Sequence, residues 1–433
     1  MLDVLEQLDT ILPAAVTGSV TQSIGTNVAA ASFPVPLGAV AEIDRDGKAP
    51  LRAQVVGFHD EVTILSPLGN PAGVRRGNRV RLVRTARQLR VGNELLGRVI
   101  DAEGHTIDER PRPTVRHRVA IDRTAPKAYE RPVVDQPLAT GVRAIDGLLT
   151  CGRGQRMGIF AGSGVGKSVL IGMMARATKA DVIVVGLIGE RGREVREFLE
   201  RDLGPEGRAR SVVVVATSDE PAPVRVNAAS TATAVAEYFR DQGKNVLLLI
   251  DSLTRVALAQ REIGLAAGEP PTTRGYPPSV FAMLPKLVER AGRSEHGSIT
   301  AFYNVLVEGD DPNEPISDAV RGLLDGHIWL SRKLASRGHY PAIDVLESLS
   351  RVMPAVTEKT HQEAARRVRE LMAVYRDHED LISIEAYRTG NNPSVDRAVA
   401  MREAIDEYLV QTAEQQIDHD ETLERLLALA EEN

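Results

Sequence analysis

Residues 157–168 read Met157-Gly158-Ile159-Phe160-Ala161-Gly162-Ser163-Gly164-Val165-Gly166-Lys167-Ser168. A short apolar run of strand character gives way to a loop of small residues, and a helical pattern begins at Lys167. That context makes a phosphate-binding loop credible. Small residues let backbone N–H groups turn inward around phosphate oxygens, and the helix behind them offers its positive end. Lys167 is expected to bring a point charge to the β- and γ-phosphates and Ser168 a hydroxyl to Mg²⁺. Gly162, Ser163, Gly164, Val165, Gly166 and Val169 complete the expected ATP-binding set. The strict pattern opens on glycine where this chain has Ala161, which is also small.

Around this loop, apolar strands alternate with helical stretches. Met157–Phe160 precedes a helix over Lys167–Thr178, Val182–Ile188 one over Glu194–Leu203, and Ser211–Ala216 one over Val224–Arg240. Val246–Ile250, Ser298–Val307 and His327–Leu330 supply further strands. Such alternation implies right-handed crossovers and a parallel sheet covered on both faces. The fold class is therefore α/β, a parallel sheet carrying the phosphate loop.

Other parts of the chain read differently. From Val16 to Leu89 short β-rich runs (Gly18–Val20, Val35–Ile43, Gln54–Leu65, Arg79–Val83) alternate with glycine and proline turns, the pattern of a small barrel or sandwich. From Thr357 onward the text is mostly helical, with proline only at Pro393. The expected domains are an N-terminal helix at 1–15, a β-barrel at 16–90, a nucleotide-binding domain at 91–355 with a proline-punctuated linker at 110–137, and a helical domain at 356–433. The first helix rests on Leu2, Leu5, Leu8 and Leu12 at helical spacing. It either docks on the protein's own body or serves as a handle for a partner.

Composition excludes several classes. The chain has 433 residues, with Lys+Arg 53 against Asp+Glu 59 and a net charge of −6. That acidic balance argues against a dedicated nucleic-acid binder. The basic stretch Arg75, Arg76, Arg79, Arg81, Arg84, Arg87 and Arg90 has only Phe33 and Phe58 nearby as stacking platforms, so it reads as a solvated or subunit-contacting face. A single cysteine, Cys151, cannot form an internal disulfide, which points to a reducing compartment. The acidic start MLDVLEQLDTIL lacks the basic flank of a secretory signal. No apolar run approaches the roughly 20 residues that span a bilayer. A cytoplasmic protein is expected.

Two carboxylates stand out beside the loop. Val246-Leu247-Leu248-Leu249-Ile250-Asp251 is a buried strand ending in an acid, which places Asp251 where it can hold the Mg²⁺ shell. Hydrolysis also needs a carboxylate aimed at water. Glu190, just after another strand, competes for that role with Glu194, which by spacing falls inside the next helix. Asp418-His419-Asp420 resembles a metal triplet, but adjacent residues on a helix point in different directions, so it reads as a solvated face. His327 and His339 have no partners at metal-ligand spacing, and Cys151 reads as a small buried residue.

Several segments closely resemble the flagellar and type III secretion export ATPases, relatives of the subunits of the rotary ATP synthase. They are LATGVRAIDGLLTCGRGQRMGIFAGSGVGKS (138–168), LIGERGREVREFLERDLG (187–204), DSLTRVALAQREIGLAAGEPPTTRGYPPSVF (251–281) and RGHYPAIDVLESLSRV (337–352). REIGLAAGEPP (261–271) looks more like the flagellar branch. The resemblance implies that Glu190 activates water, that Arg191 helps to hold the γ-phosphate and that Tyr340 packs against adenine. It implies that Arg351 is an arginine finger reaching into the neighbouring subunit's site. It further implies a RecA-like P-loop core and a homo-oligomer, a hexameric ring, hydrolysing ATP with Mg²⁺ to energise export of flagellar proteins. Stalk or regulator proteins and chaperone–cargo complexes would be its partners, with peripheral association at the inner face of the membrane beside the export gate. Alternatives are an injectisome-type secretion ATPase, an ATP synthase catalytic subunit, an RNA-translocating ring ATPase and a nucleotide-gated scaffold without catalysis.

Overall fold

The computed structural model describes residues 15–311 and 313–431. The leucine stripe at residues 2–12 lies outside them. Strand Thr17–Ile24 pairs with Asn27–Ala31 and with Arg79–Arg84. Val40–Arg45, Lys48–His59 and Val62–Pro67 complete a closed barrel of antiparallel strands. Its interior is Val20, Val28, Ala30, Phe33, Ala41, Ile43, Leu51, Val55, Leu65 and Val80. The run expected at Val35–Ile43 starts only at Val40. Pro34 and Pro36 lack N–H groups and cannot donate to a ladder, so the chain enters the barrel after them. The run Gln54–Leu65 is two strands of a hairpin, turned at Asp60 with φ 49°. Several of the barrel's arginines are matched by acids, Arg75 with Asp46 and Arg81 with Glu42, both exposed pairs.

The central domain is built on a nine-stranded sheet among the described residues. Val99–Ile100, Ser211–Thr217, Val182–Glu190, Asn245–Asp251, Ser298–Leu306, Arg156–Ala161 and Gly326–Leu330 run parallel, in that spatial order. Two antiparallel members depart from the expected all-parallel sheet: Gly292–Arg293, and Ile343–Ser350 at the edge. Alternation along the strands sends Ile183, Val185, Leu187, Leu247 and Leu249 to one core and Val182, Val184, Ile188, Leu248 and Ile250 to the other. This period of two, apolar on both sides, is what a doubly covered sheet demands.

Helix Ala222–Asp241 and its neighbours cover one face. The phosphate-loop helix and the C-terminal helices cover the other. The helix expected at Glu194–Leu203 is broken into Gly192–Glu197, a π-helical turn at Phe198–Asp202 and Gly204–Ala209.

The C-terminal region is Lys359–Ser383, Pro393–Ala400, Arg402–Leu409 and His419–Glu431. Val368 is buried, Leu371 and Met372 pack on the central core, and Tyr375 lies under the Arg402 guanidinium at 4.6 Å. No helix among the described residues is long and apolar enough to cross a membrane.

Candidate nucleotide site

Strand Arg156–Ala161 ends at the loop Gly162–Gly166, and helix Lys167–Ala177 starts directly behind it. Gly164 (φ 79°) and Gly166 (φ 94°) take left-handed conformations that favour glycine. No side chain caps the helix, so its first N–H groups are open to an anion. Tyr340 lies against the loop: a Cβ added to Gly166 would stand 3.3 Å from the tyrosine ring. Tyr340 itself is 43% exposed, and its carbonyl accepts from the Gln411 N–H at 2.9 Å. The C-terminal region therefore helps to hold this aromatic residue in place.

The neighbouring parallel strands deliver two carboxylates to the same edge. Asp251, at the end of Asn245–Asp251, is buried and ion-pairs with Lys167 Nζ at 3.1 Å. Asn304 Nδ2 donates to the same carboxylate at 2.7 Å. Glu190 closes strand Val182–Glu190 after Gly189, whose φ of 72° turns the chain. Arg255 Nε stands 3.3 Å from Glu190 Oε1. Burial, above all, pushes the Glu190 carboxyl up to about 7, and the charge of Asp251 and a hydrogen bond shared with Glu194 add to it. The same hydrogen bond holds Glu194 below the usual carboxylate range. Glu190 Oε1 and Asn304 Oδ1 are buried without a hydrogen-bond partner. Asn304 Oδ1, on the amide whose Nδ2 meets Asp251, is a hard oxygen donor of the kind Mg²⁺ prefers.

Arg191 lies on the rim, largely exposed and 3.6 Å from Glu194. Arg351 lies elsewhere altogether. Its N–H donates to the Asp325 carbonyl, and the Asp325 N–H donates to Arg156, at the first residue of the loop strand. The sheet therefore separates Arg351 from its own loop by about 17 Å, five residues at ~3.3 Å each. Thus Lys167, Asp251, Glu190 and Tyr340 share one edge and the exposed Arg351 occupies the opposite one.

Sequence reasoning missed Arg255, Asn304 and Arg332, whose Nη1 donates to the Ser163 carbonyl at 3.2 Å. Arg255 carried a usable signal: it falls one helical turn after the strand-ending Asp251. Asn304, inside an apolar strand, carried a weaker one. Asp418 is exposed and pairs with Lys179 at 3.4 Å, but His419 departs from the solvated reading because its Nδ1 is buried. His361, on the adjoining helix, donates from Nε2 to the Gly147 carbonyl at 2.7 Å. Cys151 is fully buried, and burial pushes its thiol well up.

Residues 141–350 match the nucleotide-binding domain of the ATP synthase alpha/beta family, and residues 357–428 match the T3SS EscN ATPase C-terminal domain. The flagellum-specific ATP synthase of Bacillus subtilis is 52% identical over 379 residues, covering 88% of this chain and 86% of that one. The chain belongs to the type III export ATPases. The type 3 secretion system ATPase of Xanthomonas euvesicatoria is 51% identical to this export ATPase over 416 residues, 96% of this chain and 94% of the relative. Among solved structures, the assembled ATPase EscN of the enteropathogenic E. coli type III secretion system superposes with a TM-score of 0.90 at 45% identity. That match covers 95% of this export ATPase and 100% of EscN. EscN has also been solved in complex with its central stalk EscO, and that structure superposes with a TM-score of 0.88 at 44% identity, covering 95% of this chain and 100% of EscN.

Proposed function

We propose that this export ATPase works as a homohexameric ring whose active sites are completed between subunits, and that it energises export of flagellar proteins. The carrying observation is the division of labour across one sheet: Lys167, Asp251 and Glu190 at one edge, Arg351 about 17 Å away at the other. A single chain cannot bring both to one phosphate. Two adjoining copies can.

In this reading the loop amides from Gly162 to Ser168 and Lys167 cradle the phosphates, with Val165 and Val169 anchoring the loop on the core. Tyr340 packs on the adenine and Arg191 contacts the γ-phosphate. Glu190 takes a proton from water as the water oxygen bonds to the γ-phosphorus. The bond to the bridging oxygen breaks, and ADP leaves with that electron pair. A carboxyl titrating near 7 is matched to this work, since it is substantially ionised at neutral pH yet basic enough to accept the proton. Arg351 of one copy adds guanidinium donors to the charge that builds on the neighbour's γ-phosphoryl oxygens, an effect worth about 10³–10⁵ in rate where arginine fingers act. The Ser168 hydroxyl and the Asp251 carboxylate would hold Mg²⁺, which when bound supplies neutralising charge to the phosphate oxygens.

Residues 261–271 favour the flagellar branch, while the similar identities to flagellar and injectisome relatives leave the shared export role as the common ground. A stalk protein seated in the ring, chaperone–cargo complexes on the helical C-terminal region, a cytoplasmic location and peripheral attachment at the inner face of the membrane complete the proposal. Nucleic acid is not expected as a partner.

The test is complementation. Glu190→Gln and Arg351→Ala should each lower ATP hydrolysis by at least about a hundredfold. Mixing the two inactive proteins should restore part of the activity, because some interfaces then pair an intact Glu190 with an intact Arg351. Full activity in either single variant, or no recovery on mixing in assemblies that demonstrably contain both, would refute the shared site.

A further inference from the structure

Helix Arg332–Ser336 follows the sheet strand beside the phosphate-loop strand. Its first residue, Arg332, donates to the Ser163 carbonyl of the loop at 3.2 Å. Its other side faces the long C-terminal helix Lys359–Ser383. There, Lys333 Nζ and Arg337 Nη1 both grip Glu379, at 2.7 and 2.8 Å. The two cations hold the Glu379 carboxyl down to about 2, Lys333 contributing most. Arg332, Lys333 and Arg337 thus connect the far part of the helical region, at Glu379, to the backbone of the nucleotide loop at Ser163.

The consequence lies in one peptide plane. In a trans peptide the C=O and the following N–H point in opposite directions. A guanidinium that fixes the Ser163 carbonyl on one side therefore fixes the Gly164 N–H on the other. Gly164 is left-handed, with nothing within 4 Å of where a Cβ would stand. An amide turned inward before ATP arrives does not have to be ordered at binding.

We propose that Glu379 is a positioning residue for nucleotide binding, acting through Lys333 on helix Arg332–Ser336 and Arg337 just after it, and through Arg332 on the Ser163–Gly164 peptide. This deepens the reading of Gly162–Ser168 as the phosphate cradle and rests on it. A partner that shifts the outer part of helix Lys359–Ser383 would alter ATP affinity along this route.

The experiment measures binding of a fluorescent ATP analogue, together with KM and kcat, in the full chain. Glu379→Gln keeps the volume and removes the charge. It is expected to weaken binding and raise KM by about fivefold, with kcat little changed, the scale of a small coupling between sites. Arg332→Gln should weaken binding to a similar degree, and adding Glu379→Gln to it should bring no further loss. Reversing the clamp, with Glu379→Lys plus Lys333→Glu and Arg337→Glu, should recover the wild-type KM. Unchanged affinity in Glu379→Gln, or an undiminished second loss in the Arg332→Gln background, would overturn the proposal. Lys167→Ala separates the two levels. If it binds ATP as wild type does, the cradle reading itself has failed, whereas a failed relay leaves that variant deficient and Glu379→Gln normal.

Discussion

The two edges of the central sheet are made from the same strands and differ in almost every physical respect. At the C-terminal ends of Arg156–Ala161, Val182–Glu190 and Asn245–Asp251, charged groups are buried together. They neutralise one another only partly, leaving a raised carboxyl on Glu190 and an unmatched acceptor on Asn304. At the opposite edge Arg351 is exposed and its backbone is tied to Asp325. Unpaired buried polarity costs roughly 1–3 kcal/mol per group and persists where a ligand will satisfy it. An exposed guanidinium costs little and waits for a surface. In the proposed reading the contrast separates a receptor edge from a donor edge, and a chain with one of each is suited to closing head-to-tail contacts.

The bluntest way to break this contrast is at the receptor edge. Lys167→Ala removes the positive charge that ion-pairs with Asp251, and should abolish measurable ATP binding and lower hydrolysis by about 10²–10³. Isothermal titration with ATP checks it, and retained affinity would strip the receptor edge of its meaning. The complementation of Glu190→Gln by Arg351→Ala comes next in size and addresses both edges at once.

Titration sharpens the contrast further. Glu190 binds its proton up to about pH 7 in the folded chain and up to its ordinary 4.5 when unfolded. Between those values the folded state holds more protons, so its stability should decline as pH rises from about 4.5 to 7. Glu190→Gln should remove that slope from melting curves. Hydrolysis should run the other way, kcat/KM falling as pH drops below 7 because the base becomes protonated. A wild-type rate that holds steady down to pH 5 would contradict the assignment of the base. The smallest expected effect lies at an exposed surface pair. Asp418→Asn removes an exposed pair with Lys179 and should leave both melting temperature and ATPase rate unchanged.

How far the sequence could be read depended on how local each signal was. The phosphate loop, its strand and its helix occupy one continuous stretch, and the apolar parallel strands announce themselves because both faces are covered. Asp251 and Glu190 were legible as the polar ends of such strands. The edge strand Ile343–Ser350 was not, because its sequence IDVLESLS mixes exposed and buried positions without a long apolar run. Val99–Ile100 was hidden for a different reason: two residues joining a sheet beside Ser211–Thr217 leave no periodicity to detect. In the barrel, Asn27–Ala31 was passed over because its small residues carry little β signal. Arg255 and Arg332 act across 65 and 169 residues of chain, and no local pattern encodes such a meeting.

The single cysteine has a practical consequence. Cys151 is walled into the core with its thiol protonated far above neutrality, so alkylating reagents, which need the thiolate, should find nothing to attack while the chain is folded. Its labelling rate would then report global opening, a built-in unfolding gauge. A second cysteine placed on the surface could carry a fluorophore selectively without any prior replacement of the natural one.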